Sequence, residues 1–250
     1  ADKMGTMPIP KLLFSMAVPM MLSMMMNALY NVVDSVFVAR LSEDALTAVS
    51  LAFPLQNIMI SVGVGLGVGV SALVARMLGQ GEQEKANRYA MQGVLLASLF
   101  YVIFLIVGLF FLPLYVTSQV DTTLENAQVV IDGCISYLRI CCLLSFGLML
   151  TTLMEKLLNA TGRTMYTMGI QMLGAITNII LDPILIFGLL GAPKLGVAGA
   201  AWATVIGQIL SGVTGLILNL RKNHDIQFHT ANLRPDGQRI KEILAISVPS

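Results

Sequence analysis

Apolar residues along this chain recur neither at every second position nor as a narrow helical stripe. They fill long, nearly continuous stretches separated by short charged clusters. Six such stretches run about Lys11–Arg40, Ala45–Ala75, Tyr89–Val120, Asn126–Leu153, Thr164–Pro193 and Leu195–Leu220. Each exceeds the roughly 20 residues that a helix needs to cross a hydrocarbon core of about 30 Å. A membrane β-barrel would instead show alternating segments of about 10 residues. The pattern therefore predicts six transmembrane helices, with the excess length taken up by tilt or by extension past the membrane surface.

Composition agrees. Of the 250 residues, 56% are hydrophobic and 12% charged, with a mean hydropathy of +0.80; a soluble domain carries about 25% charged residues to wet its surface. A net charge of +1 gives no electrostatic footprint for nucleic acid. Cys134, Cys141 and Cys142 fall in one apolar stretch, which reads as small membrane-buried residues rather than a disulfide or metal framework.

Loop charges set the expected orientation. Lys3, Lys11, Arg76, Lys85, Arg88, Lys156, Arg163, Arg221, Lys222, Arg234, Arg239 and Lys241 fall on one side, and only Arg40 and Lys194 on the other. The basic side is expected in the cytoplasm, together with the N-terminus. The long connection at 221–239 is polar and carries Pro235 and Gly237, so it reads as a cytoplasmic linker. Its His224 and His229 are too few for a metal site.

An internal echo changes the picture of domain organisation. Lys11-Leu-Leu-Phe-Ser-Met-Ala-Val-Pro19 returns in kind as Lys241-Glu-Ile-Leu-Ala-Ile-Ser-Val-Pro249, 230 residues later and just after the linker. A restart at that place implies a parallel repeat. The expected organisation is a six-helix lobe over 1–220, an inter-lobe linker over 221–239, and the start of helix seven over 240–250. The expected fold is thus an all-α integral membrane lobe, one half of a twelve-helix, two-lobe transporter.

Charged residues inside the spans each need a reason, because burying one at the bilayer centre costs at least about 2.5 kcal/mol. Asp132 and Arg139, seven apart on one face, read as mutual neutralisation or snorkelling. Asp34 and Asp182 differ. Asn27, Tyr30 and Asn31 share a helical face with Asp34, while Gln171, Asn178 and Asp182 form a polar stripe, with Pro183 next freeing the carbonyl of Ile179. At about 1.5 Å per residue, Asp34 and Asp182 reach the outer half of the bilayer from the cytoplasmic side, and Thr204 reaches the same depth from the other. Their oxygens are hard ligands suited to Na⁺ or to holding a proton. For Asp34 alone, snorkelling to the outer interface is the competing reading. Gly63, Gly65, Gly67 and Gly69 read as close helix packing; Met20, Met21, Met24, Met25 and Met26 read as lipid-facing or as the wall of an adaptable cavity. No nucleophile elbow, His/Asp cluster or metal-ligand spacing points to an enzyme.

These residues together resemble the bacterial type of the MATE (multidrug and toxin extrusion) family. The resemblance rests on Val18-Pro19, Tyr30-x-x-x-Asp34, Tyr137-Leu-Arg-Ile140, Asn159-Ala-Thr-Gly-Arg163, Asn178-x-x-x-Asp182-Pro183 and Gly196-Val-Ala-Gly-Ala-Ala-Trp-Ala-Thr204. It implies a cation-coupled efflux antiporter in the bacterial cytoplasmic membrane, exporting amphipathic, often cationic, organic compounds by alternating access. It further implies a coupling site at Asp34, Asn178, Asp182 and Thr204 beside Tyr30, with Asn27, Asn31 and Gln171 as supporting polar groups. No cofactor is implied beyond Na⁺ or H⁺ as coupling ion. The expected partners are small-molecule drugs or organic cations, the lipid bilayer and a C-terminal lobe. A lipid-linked oligosaccharide flippase of the same superfamily is the alternative; it would call for cavity cations, and Arg139 is the sole buried candidate.

Overall fold

The computed structural model describes residues 7–120 and 126–248. Lys3 of the charge count and Pro249 of the echo lie outside the described residues. Helix α1 spans Ile9–Ala39 and α2 spans Glu43–Gly79; α3, Gln83–Ile106, runs through a π-helical turn at Val107–Phe111 into α4, Leu112–Gln119. Helices α5 (Ala127–Leu143) and α6 (Phe146–Ala160) follow, then α7 (Thr164–Phe187), α8 (Val197–Lys222) and α9 (Gly237–Ser247).

Local chemistry accounts for several boundaries. Ser42 caps α2 by accepting from the Ala45 backbone N–H at 3.0 Å, and Glu43 and Asp44 complement the positive helix end. Asp236 caps α9 through the N–H groups of Gln238 and Arg239. The π turn precedes Pro113, which cannot donate to the Leu109 carbonyl, so the ladder slips there without ending the crossing.

Five helical spans are long and apolar enough to cross a membrane: Ile9–Ala39, Glu43–Gly79, Gln83–Gln119, Thr164–Phe187 and Val197–Lys222. The remaining crossing is not one straight helix as the hydropathy pattern implied. It consists of α5 and α6 bent by 51° at Leu144–Ser145. Hydropathy reads length and polarity, and neither changes at this bend. The break sets the start of α6 against α8, where a Cβ on Gly147 would lie 3.1 Å from the Ile209 backbone nitrogen. Helix α7, in contrast, continues through Pro183 to Phe187 rather than breaking there.

The bundle centres on α2, α6 and α8. Gly63 and Gly67 admit Thr152 and Lys156 of α6, whereas Gly65 and Gly69, half a turn round, admit Ser247 and Ile243 of α9. The glycine stripe is thus two packing faces on one helix. Helix α1 sits at the edge, packed mainly along α7. It leaves Phe14 72% and Met24 70% exposed, an apolar surface appropriate to lipid. The methionines of α1 line no part of the cavity described below, which leaves the outward-facing reading for them. The three cysteines are buried and unpaired.

The connection after α8 is pinned to the bundle. Gln83 donates to the carbonyls of His224 and Asp225, Asn87 accepts from Gln227 N–H at 2.7 Å, and Gln92 both donates to the Arg234 carbonyl (2.7 Å) and accepts from Asp236 N–H (3.2 Å). Arg163 adds a bond to the Lys222 carbonyl and an ion pair with Asp225 at 2.9 Å. Tyr89 donates to Glu242 of α9, and Arg239 stacks over the Tyr89 ring.

Candidate functional site

The site begins with the meeting of α7 and α8. Gly174, Gly199 and Gly207 let the two backbones approach so closely that a Cβ on Gly199 would fall 2.5 Å from the Leu185 carbonyl oxygen, and one on Gly207 2.9 Å from that of Gly174. This approach carries Thr204 of α8 against Asn178 of α7. In the amide orientation that gives both its ends a partner, Asn178 donates to Asp182 Oδ2 at 3.1 Å. Its oxygen then accepts from the Thr204 backbone N–H and hydroxyl at 3.2 Å each.

Helix α1 supplies the second acid. Phe37 packs edge-on against Phe187, ring centroids 6.3 Å apart, tying the C-terminal ends of α1 and α7 together. One turn back, Asp34 is 6% exposed and its carboxyl group lies beside that of Asp182, itself fully buried. The competing reading of Asp34, snorkelling to the interface, does not describe this geometry. Asp34 Oδ1 and Asp182 Oδ1 are both buried and accept no hydrogen bond from the protein. Two carboxylates this close repel one another in a low-dielectric setting unless a proton or a cation lies between them. The unpaired oxygens, with the Asn178 carbonyl and the Thr204 hydroxyl nearby, are a hard-oxygen donor set that fits Na⁺ or a shared proton.

The pair stands behind one end of a cavity of about 280 Å³ lined by residues of α1, α2, α6, α7 and α8. Tyr30, Asn178 and Thr204 line that end, and the other polar residues singled out in the sequence, Asn27, Asn31 and Gln171, line the same cavity. All eight predicted site residues therefore converge. The pair Asp132–Arg139 does not: both are exposed, Asp132 accepts from Gln128 at 3.0 Å, and no Asp132–Arg139 ion pair forms among the described residues. His224 and His229 are exposed, and no group of three or more His, Cys, Asp or Glu suited to a metal occurs among the described residues.

Sequence reasoning passed over Glu155. It lies just beyond a long apolar stretch and beside Lys156, so it reads as part of a cytoplasmic charge cluster. In the fold it is 7% exposed and lines the cavity, taking a 2.9 Å hydrogen bond from Gln171 Nε2. The one available signal is its apolar setting, Leu-Met before it and Leu-Leu after Lys156.

Comparisons with known proteins bear on this arrangement. The MatE family model matches residues 19–184. The chain is 30% identical over 96% of its length to the multidrug export protein MepA of Staphylococcus haemolyticus, and 30% identical over 86% of its length to an FAD transporter of Shewanella oneidensis. These alignments cover 51% and 46% of the two relatives, so the chain spans about half the length of the curated relatives it matches. Among solved structures, a MATE transporter in complex with MaL6 superposes with a TM-score of 0.86 at 28% identity, covering 96% of this chain and 51% of that one. A MOP superfamily transporter from Pyrococcus furiosus gives a TM-score of 0.83 at 27% identity, with 96% and 51% covered.

Proposed function

This chain belongs to the MatE family, whose members are transporters rather than enzymes, and we propose that it is the N-terminal lobe of a cation-coupled efflux antiporter. Its substrates are amphipathic, often cationic, organic compounds, and its coupling ion is H⁺, Na⁺ or either. The observation that carries this reading is the buried Asp34–Asp182 pair, braced by Asn178 and Thr204 at the end of a cavity. An ion between the carboxylates draws α1 onto α7; without it their repulsion favours separation. Coupling then follows if substrate and ion prefer different arrangements of these helices, since each ligand shifts the equilibrium only by its difference in affinity for the two states. MepA, a named multidrug exporter, supports the substrate class.

The multi-pass membrane setting follows from the family and the apolar helices. We place the N-terminus and the pinned connection at 223–236 on the cytoplasmic side of a bacterial inner membrane, on the strength of the twelve-to-two distribution of Lys and Arg. A second lobe completes the pathway. The flippase alternative and transport of an anionic dinucleotide, as the Shewanella relative's name would suggest, both call for cationic residues in the cavity. Among the described residues, its lining carries Glu155 and no Lys or Arg.

The test is dye efflux from vesicles containing the full-length two-lobe protein, with imposed Na⁺ or H⁺ gradients. Asp34→Asn and Asp182→Asn should each abolish gradient-driven efflux while the protein still inserts. Efflux indifferent to both gradients in the unaltered protein, or unchanged ion dependence in Asp182→Asn, would refute the coupling scheme.

A further inference from the structure

The cavity wall carries an acid, Glu155, that is separate from the coupling pair. Along α7, Gln171 and Asp182 are 11 residues apart, or about 16 Å along the helix axis. Glu155 and Gln171 therefore stand at the opposite end of the cavity from the aspartates. Their placement is built by the packing of α6, α7 and α8 on one another. Thr167 donates to Asn159 Oδ1 at 2.9 Å, Ser211 donates to the Ile170 carbonyl at 3.0 Å, and Asn219 donates to the Met154 carbonyl at 3.0 Å. Lys156, one residue on, lays its stem against Gly67 of α2 and is not among the residues lining the cavity.

What remains unsatisfied at this end decides which ligand fits. Gln171 spends one of its two amide N–H groups on Glu155 Oε2. Glu155 Oε1 and Gln171 Oε1 are then left as buried oxygens that accept nothing from the protein. The nearby hydroxyls are spent on backbone carbonyls: Thr151 on Gln208, Thr152 on Leu148, Ser211 on Ile170. The inner end thus presents acceptors, one of them a carboxylate, and calls for a cation with several N–H donors. A primary or secondary ammonium meets that need, and the aliphatic wall formed by Ile60, Val64 and Leu148 suits the apolar remainder of such a molecule.

We propose that Glu155 and Gln171 form a second recognition point, separate from the coupling-ion pair, that holds the ammonium group of an amphipathic amine. This rests on the reading of the chain as an exporter of organic cations, and it assigns the substrate's charge to a particular carboxylate. Glu155 binds the cargo; Asp34 and Asp182 bind the ion that drives it.

The test uses the purified full-length protein in detergent and two fluorescent probes, dansylcadaverine and its neutral N-acetyl derivative. Glu155→Gln should weaken binding of the ammonium probe at least ~10-fold, the effect of losing a charge-assisted hydrogen bond, and leave the neutral probe unchanged. Glu155→Asp should recover most of the lost affinity. In the unaltered protein, saturating dansylcadaverine should slow carbodiimide modification of Glu155, read on its own peptide by mass spectrometry, a measurement that needs no variant to fold. Equal affinity of Glu155→Gln and unaltered protein for the ammonium probe, or Glu155 modification unaffected by it, overturns the proposal. Efflux that ignores both ion gradients counts instead against the coupling scheme, and the binding measurements stand apart from it.

Discussion

Gly207→Ala isolates the packing that makes the site. The added Cβ falls 2.9 Å from the Gly174 carbonyl oxygen, whereas a carbon–oxygen contact settles at about 3.3–3.6 Å. Backbone cannot rotate aside as a side chain can, so α7 and α8 must part by roughly 0.5 Å. Thr204 lies three residues from Gly207, and its 3.2 Å contacts with Asn178 then stretch to about 3.7 Å, past the range of a hydrogen bond. Interhelical hydrogen bonds in membranes are worth about 0.6–1.7 kcal/mol, which converts to a roughly 3- to 18-fold rise in the half-saturating concentration of the coupling ion. Overpacking adds about 1–3 kcal/mol of destabilisation. Gly169→Ala on α7 is the control, because a Cβ there has no heavy atom within 4 Å. It should leave ion dependence unchanged and preserve or raise stability. The assays are thermal unfolding of the purified full-length protein and the ion dependence of dye efflux in vesicles. Wild-type ion dependence in Gly207→Ala would show that the close approach of α7 and α8 does not hold Thr204 in the site.

Three further outcomes are expected. Asp132→Asn should leave efflux near that of the unaltered protein, because the side chain is exposed and hydrogen-bonds locally to Gln128; loss of gradient-driven efflux would contradict this. Cysteines placed at positions 119 and 229 should be labelled by an impermeant thiol reagent from outside and from the cytoplasm respectively, and labelling of position 229 from outside would reverse the assigned orientation. Purified, reconstituted 1–250 should insert and fail to export, since alternating access needs a second lobe to move against. Ion-driven efflux by that fragment, with crosslinking showing no dimer, would defeat the expectation.

The membrane architecture is legible in the chain because its physical cause is local. A bilayer demands about 20 apolar residues per crossing, and that length is written in each stretch of sequence without reference to any other. The same holds for the polar faces of α1 and α7: Tyr30, Asn31 and Asp34, or Gln171, Asn178 and Asp182, share a side of their own helix by periodicity alone. Bringing those faces together is another matter. It depends on Gly199 and Gly207 meeting Leu185 and Gly174, and on Phe37 meeting Phe187, contacts between residues far apart in the chain. Depth counting put Asp34, Asp182 and Thr204 at a common level, but it carried no information about rotation, so their contact was decided by packing. The bend at Leu144–Ser145 and the burial of Glu155 belong to the same class. Hydropathy is additive along the chain and gives a glutamate beside a lysine at a helix end to the aqueous surface. Tertiary packing turned Glu155 inward onto Gln171, Lys156 towards Gly67, and so placed an acid in the cavity wall at the end away from the aspartate pair.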